Sequence, residues 1–296
     1  MRKYFLILLL TTACTERIDL RNDGMEPMLV ITCILTDSIA QFGEQENKVI
    51  ISRTTPYFGS LYYNYVSGAK VFINSNALKM NGTGHYEHEE AFCGVPGQTY
   101  TLEVRYDVNG DGVDEIYTAT TTIPQKYQLD SITLSRIPYN VNYMARLSLH
   151  FQDSIGNGYF GARLCNENNG IYYSNRILRY CIFPFGPFSK DDYHRILQPP
   201  DLDWIIRHQL RWDNEESYYI YAGDTLSVEL EALSPEYHRY LEVAKTEQSQ
   251  KNPLFSAPSA NIPTNIKGGA LGIFGAYTTS RASVVIPLDT PGLPVR

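Results

Sequence analysis

Apolar positions recur at two spacings along the chain, and the shorter spacing dominates. From Thr99 to Tyr106 the residues alternate, with Leu102, Val104 and Tyr106 on one side of an extended chain and Glu103 and Arg105 on the other. A period of two puts one set in a core and the other in water, which predicts a half-buried strand. Met28 to Leu35, Lys48 to Ser52, Ala69 to Ile73 and Ile116 to Ile123 read as further strands from their β-branched content, and Pro124 ends the last. Asn74 to Gly84 carries turn residues. Short strands at this spacing, without long helices between them, predict a β-sandwich over residues 28–124, of immunoglobulin-like or transthyretin-like topology.

A second β-rich domain is expected over 128–296. Leu129 to Leu134, Tyr143 to Phe151 and Leu271 to Tyr277 read as strands, and Asp224 to Leu233 alternates Leu226, Val228 and Leu230 against Ser227 and Glu229. Ile171 to Phe183 mixes aromatics with arginines and is expected to cross the sheet. The stretch 184–214 is interrupted by Pro184, Gly186 and Pro187, with a short helix expected near 201–211. One amphipathic helix is expected over 235–249. Ser234 can cap it, Pro235 suits its first turn, and Tyr237, Leu241 and Ala244 follow at offsets of four and three, widened by Tyr240. His238 is expected on its surface. The fold class is therefore mainly β: two β-sandwich-like domains, the second with a helical insertion.

Composition narrows the setting. Among 296 residues, 25 Lys and Arg face 32 Asp and Glu, a net charge of -7, with no basic stripe, which argues against a nucleic-acid partner. Arg2 and Lys3 precede an apolar run from Tyr4 to Leu10, then Thr11, Thr12 and Ala13, and Cys14 follows. The run is too short to span a bilayer and reads as a secretory signal over 1–13. A cysteine at the cleavage point resembles a bacterial lipoprotein signal, so Cys14 is expected to carry lipid and 14–27 to form a tether. Removing Arg2 and Lys3 takes the charge from -7 to -9. No later apolar run reaches membrane-spanning length, so the lipid would be the membrane contact.

Cys33, Cys93, Cys165 and Cys181 remain. Sequence proximity favours the disulfides Cys33–Cys93 and Cys165–Cys181, while each cysteine equally suits a small buried hydrophobe.

The sharpest local pattern is Asp107, Asn109, Asp111, Gly112 and Glu115. Oxygen ligands at offsets of two, followed by glycine, begin a calcium loop of EF-hand type. The twelfth position is Thr118, which is not a carboxylate, and a strand pattern follows. A hairpin turn in which Asn109-Gly110 and Asp111-Gly112 supply positive φ is the stronger reading, and no cofactor is expected unless this loop takes calcium. His85 and His88 lie three apart and would face opposite sides of a strand, against a zinc pair. No G-x-S-x-G or H-E-x-x-H occurs, and nothing selects a catalytic set. Lys267 to Gly272 lacks the spacing of a phosphate loop and reads as a turn entering the strand at Leu271. Aromatics are the remaining signal: Tyr57, Phe58, Tyr62 and Tyr63 in one cluster, and Phe185, Phe188, Trp204 and Trp212 in another. On loops such rings can anchor a protein or stack on a sugar; packing in a core or between domains is the plainer alternative.

Several of these features occur in a recognisable order. The leader is followed by Tyr117-Thr118-Ala119 and Ile123-Pro124. Then come Asn252-Pro253-Leu254-Phe255-Ser256, Pro258, Asn265-Ile266, Gly268-Gly269, Gly272 and Phe274-Gly275. The set resembles the DUF4249 family of Bacteroidota outer-membrane lipoproteins. The resemblance implies an envelope location and a partner such as a TonB-dependent receptor, and it carries no catalytic residues. The expected function is a lipid-anchored accessory at the outer membrane, periplasmic or surface-facing, that binds a protein partner or substrate. A glycan-binding module comes second and a cryptic hydrolase third.

Overall fold

The computed structural model describes residues 27–38, 47–55, 64–82, 84–139, 142–151, 158–168, 171–172, 183–184, 195–197, 222–249 and 262–289. Mainly β structure results. The first segment holds β1 (Leu29–Thr36), β2 (Val49–Arg53), β3 (Asn64–Tyr65), β4 (Lys70–Ile73), β5 (Asn76–Ala77), β6 (Lys79–Met80), β7 (His85–Glu87), β8 (Thr99–Tyr106) and β9 (Glu115–Thr122). The second holds β10 (Leu129–Tyr139), β11 (Asn142–Phe151), β12 (Tyr159–Asn166), β13 (Ile171–Tyr172), β14 (Phe183–Pro184), β15 (Arg195–Leu197), β16 (Thr225–Leu233), α1 (Pro235–Ser249) and β17 (Leu271–Val285). The expected helix near 201–211 lies outside the described residues. Of the expected crossing segment Ile171 to Phe183, only β13 and the start of β14 fall within them.

Alternation in β8 sorts its side chains as its pattern predicts: Tyr100, Leu102 and Val104 are buried, while Thr101 and Arg105 are exposed. β8 lies between β4 and β9 in a four-stranded sheet ordered β5-β4-β8-β9. Opposite it, β1 and β2 turn Leu29, Ile31, Cys33, Leu35, Val49 and Ile51 inward. The two inner faces form one apolar cluster, the core of a sandwich. Each such aliphatic side chain contributes roughly 1.5–3 kcal/mol by leaving water.

That core is not built from residues 28–124 alone. Ile266, Ala270, Phe274 and Ala276 belong to the same cluster. β1 pairs in parallel with the first half of β17, from Val30 opposite Leu271 to Thr36 opposite Tyr277. The second half of β17 pairs antiparallel with β16, from Leu233 opposite Tyr277 to Thr225 opposite Val285. The largest sheet therefore runs β13-β12-β16-β17-β1-β2-β7-β6, with β14 on β12 and β3 on β2, and it crosses the expected division at 124–128. A separate sheet is ordered β10-β11-β15.

The close approach at β17 depends on glycine. A Cβ on Gly272, whose φ is +105°, would lie 2.0 Å from the carbonyl oxygen of Ile31. On the outer face, a Cβ on Gly275 would meet Tyr237 of α1 at 2.7 Å. Tyr237 packs there with Leu233, Ile273 and Tyr277, which is how α1 is held against the sheet. The Asn265 side chain acts as a short piece of strand: its Nδ2 donates to the Phe274 carbonyl (2.7 Å), and the Phe274 amide donates to its Oδ1 (2.9 Å). Lys267 exchanges two backbone hydrogen bonds with Thr118, so the segment before β17 covers the edge of β9.

Polar contacts tie the linker into this crossing. Lys126 pairs with Asp37 at 2.9 Å, and Asp37 accepts the Thr279 amide at 3.0 Å. Thr278 donates to the Gln125 carbonyl (3.3 Å), and the Leu129 amide donates to Ser280 Oγ (2.9 Å). Thr121 hydrogen-bonds Ser234 and Glu236 at the start of α1.

Candidate functional site

The expected acidic loop joins β8 to β9 and forms a hairpin. Gly110 and Gly112 take φ of +77° and +86°, and nothing lies within 4 Å of a Cβ placed on either. They are turn glycines, needed for conformation and not for space. Asp107 organises the turn. Its Oδ1 accepts the amides of Gly110 (2.6 Å) and Asp111 (3.2 Å), and its Oδ2 accepts that of Gly112 (2.8 Å). Glu115 closes the loop from the other strand, accepting the Val108 amide (2.8 Å) and Asn109 Nδ2 (2.6 Å). Asp111 accepts the Val113 amide at 2.8 Å. The Gly112 amide, followed by those of Gly110, Asp111 and Asn109, holds the Asp107 carboxyl below the usual aspartate range.

The four residues expected as calcium ligands, Asp107, Asn109, Asp111 and Glu115, thus share one hairpin, where Asp107, Asp111 and Glu115 accept its internal hydrogen bonds and Asn109 donates one. Among the described residues, no group of three or more His, Cys, Asp and Glu side chains could hold a metal ion. Beside the exposed Asn109 and Asp111, the hairpin presents two aliphatic side chains: Val113 is 67% exposed and Ile116 56%.

The base of the hairpin is fixed to the place where the chain enters the fold. The Arg53 guanidinium donates to the Val108 carbonyl (3.3 Å) and Tyr106 Oη (3.5 Å), and lies 5.8 Å from the Tyr106 ring centroid. Arg53 is opposite Leu29 in the β1–β2 ladder. Met28 and Thr54 exchange two hydrogen bonds of 2.9 Å. The hairpin and the entry of the N-terminal segment therefore occupy the same end of the sandwich. The other end carries Val95, 53% exposed, and Gly94, whose amide donates to the carbonyl of Thr36.

The other expected sites divide by where they fall. Cys14, Tyr57, Phe58, Tyr62, Tyr63, Cys181, Phe185, Phe188, Trp204 and Trp212 lie outside the described residues. Cys165 sits in β12 opposite Tyr172 and Ser227. The expected Cys33–Cys93 disulfide is not formed, and both thiols are free. The reason is placement: Cys33 points into the sandwich core from the middle of β1, whereas Cys93 is exposed on the loop before β8. Burial pushes the Cys33 thiol far up, so it stays protonated and inert.

His85 and His88 are not brought together as a metal pair. His85 lies 5.1 Å from the Tyr65 ring, and His88 stacks on Phe92 at 4.2 Å. His238 corrects the expectation of a surface residue: it is buried and stacks on Tyr159 of β12 at 4.5 Å. Burial lowers its pKa, opposed by Glu242 one turn along α1. The helical stripe centred on Tyr237 and Leu241 gave no sign of this, because the buried face is wider than the aliphatic one.

Lys267 to Gly272 forms the expected turn into a strand, with positive φ at Gly268 and Gly269, and its lysine makes the backbone bridge to Thr118. The C-terminal residues that looked like a family signature thus have architectural tasks: Asn265 clamps β17, Ile266 enters the core, and Gly272 and Gly275 permit close contact. A search of curated proteins finds no match. The family model described as a domain of unknown function, DUF4249, matches residues 15–283. With that match running over nearly the whole of its length, the chain belongs to the DUF4249 family.

Proposed function

We propose that the protein is a lipid-anchored accessory of the outer membrane that binds a protein partner through the hairpin end of its first sandwich. The observation that carries this reading is the hairpin itself: a loop tied by its own carboxylates, displaying Val113 and Ile116, at the end where the chain enters from Cys14. A loop ordered before contact loses little conformational freedom on binding, which favours recognition. The partner surface it fits is an apolar hollow, since Val113 and Ile116 are the exposed aliphatic side chains there and the nearby Asp114 is already paired with Lys70.

Geometry favours a partner within the membrane. Thirteen residues lie between Cys14 and Met28. A tether of that length with random-coil dimensions would reach about 20 Å, less than the roughly 26 Å length of an eight-residue strand such as β1. On average the hairpin end would then be nearer the membrane than the Val95 end. A TonB-dependent receptor is the membrane partner that the family resemblance implies, and an immunoglobulin-like or transthyretin-like first module suits such an accessory role.

The test is site-specific photo-crosslinking in cells from position 113 and from position 95, in the parent and in Cys14→Ala. The expected result is a discrete adduct with one integral membrane protein from position 113, lost in V113D and weakened in Cys14→Ala, which should also lose palmitate labelling. Capture from position 95 alone would move the contact to the opposite end. No adduct from either position, with palmitate label unchanged in Cys14→Ala, would overturn both the anchor and the contact.

A further inference from the structure

We propose that β17 is a closing clasp: neither the N-terminal sandwich nor the sheet built on β12 and β16 reaches its stable form until this strand docks. Tyr277 is paired in both ladders, with Thr36 on one side and Leu233 on the other. To one side of that pivot, Phe274 and Ala276 fill the sandwich core together with Ile266 and Ala270. To the other side, nine residues from Tyr277 to Val285 pair along one full edge of β16, whose other edge is taken by β12. Without β17, β1 has an open hydrogen-bonding edge and the sandwich core lacks a fully buried phenyl ring. An open edge and an unfilled core leave a sandwich marginal and prone to pair elsewhere.

Closure over so long a connection is affordable, because the entropy of bringing loop ends together grows only with the logarithm of loop length. The clasp is also specified locally. Gly272 admits the Ile31 carbonyl, Asn265 fixes the register of Phe274, and Asp37 and Ser280 tie the pivot to the linker. These contacts belong to a strand that is synthesised after every other described element. If the chain is exported N-terminus first, as the leader suggests, the sandwich stays unlocked until residues 262–285 have crossed; the clasp itself does not depend on that reading or on any partner.

The experiment is refolding of the full mature chain from urea, read by pulsed hydrogen exchange with peptide-level mass spectrometry. Amides of β1, β2, β8 and β16 are expected to gain protection in the same kinetic phase as those of β17. Protection of β1, β2 and β8 in an earlier phase would overturn the clasp. Native-state exchange of Phe274→Ala supplies a second reading, with at least tenfold faster exchange expected in β1 and β16 together. Acceleration confined to one of the two strands would also overturn it, and if that variant does not fold, the refolding of the parent protein decides.

Discussion

The hairpin at 107–114 and the crossing at 265–275 both combine glycines at positive φ with a short polar side chain that binds backbone groups. Their physical demands are nevertheless opposite. Gly110 and Gly112 stand in open space, and only their backbone angles require glycine. Gly272 combines a positive φ with a backbone oxygen where a side chain would sit. Asp107 gathers amides with a charged carboxylate in water, whereas Asn265 uses a neutral amide to both donate and accept between buried strands. The first arrangement shapes a surface, and the second joins two parts of a fold. The presence of positive-φ glycines in a motif therefore says little about what the motif does.

The contrast breaks most sharply on substitution of the glycines. Gly272→Ala adds a positive-φ cost of roughly 1–2 kcal/mol to an overpacking cost of about 1–3 kcal/mol, and the backbone on both sides has little room to shift. A total on the order of 2–5 kcal/mol would remove a large part of the stability of an ordinary domain. Gly110→Ala carries the conformational cost alone, about 1–2 kcal/mol. Urea denaturation midpoints of the two variants measure the difference. Equal losses would mean that the approach to Ile31 does not constrain the strand.

Asn265→Ala comes next. It removes both side-chain bonds to Phe274 and leaves that residue's backbone groups to find other partners, a loss of about 1–3 kcal/mol. The same denaturation series reads it, and an unchanged midpoint would show that the register of β17 is held by its ladders alone.

These sites also mark how far local reading reaches. The alternation of β8, the start of α1 at Pro235 and the hairpin turn around Gly110 and Gly112 are all decided within a few residues, and each is visible in the order of residue types, although the Ser234 hydroxyl expected to cap α1 accepts the Ala276 amide of β17. The expected strand at Leu271 to Tyr277 continues to Val285. Its second half, with Thr278, Thr279, Ser280, Arg281 and Ser283, has no apolar alternation, because its pairing with β16 is partly polar on both faces. The partner of β1 could not be read at all: period two assigns a face to a side chain but names no neighbouring strand. For the same reason the cysteines were paired by nearness in sequence, while the fold buries Cys33 and leaves Cys93 in solvent. At the candidate site the hairpin was legible, but the use of its carboxylates was not, because calcium ligands and turn-capping acceptors are the same residue types at similar offsets.

The smallest expected effect separates the two arrangements by charge. Asp107 is held below the ordinary aspartate range by the Gly112 amide and its neighbours, so its ionised form is favoured in the folded hairpin. A lowered folded-state pKa contributes stability that is complete above the unfolded value, near 3.9, and is lost as pH falls through the lower folded value. The hairpin should therefore hold its geometry through the mildly acidic range and loosen only below the usual aspartate titration. The crossing at Asn265 has no charge to lose at that site and should not respond there. A pH titration of the Gly112 and Phe274 amide resonances reads both at once. The Gly112 amide should shift with a midpoint below the ordinary carboxyl range, and the Phe274 amide should stay still until global unfolding. A Gly112 midpoint at the ordinary aspartate value would mean that the carboxylate does not gather those amides in solution, and the hairpin would then lose its claim to be ordered before any partner arrives.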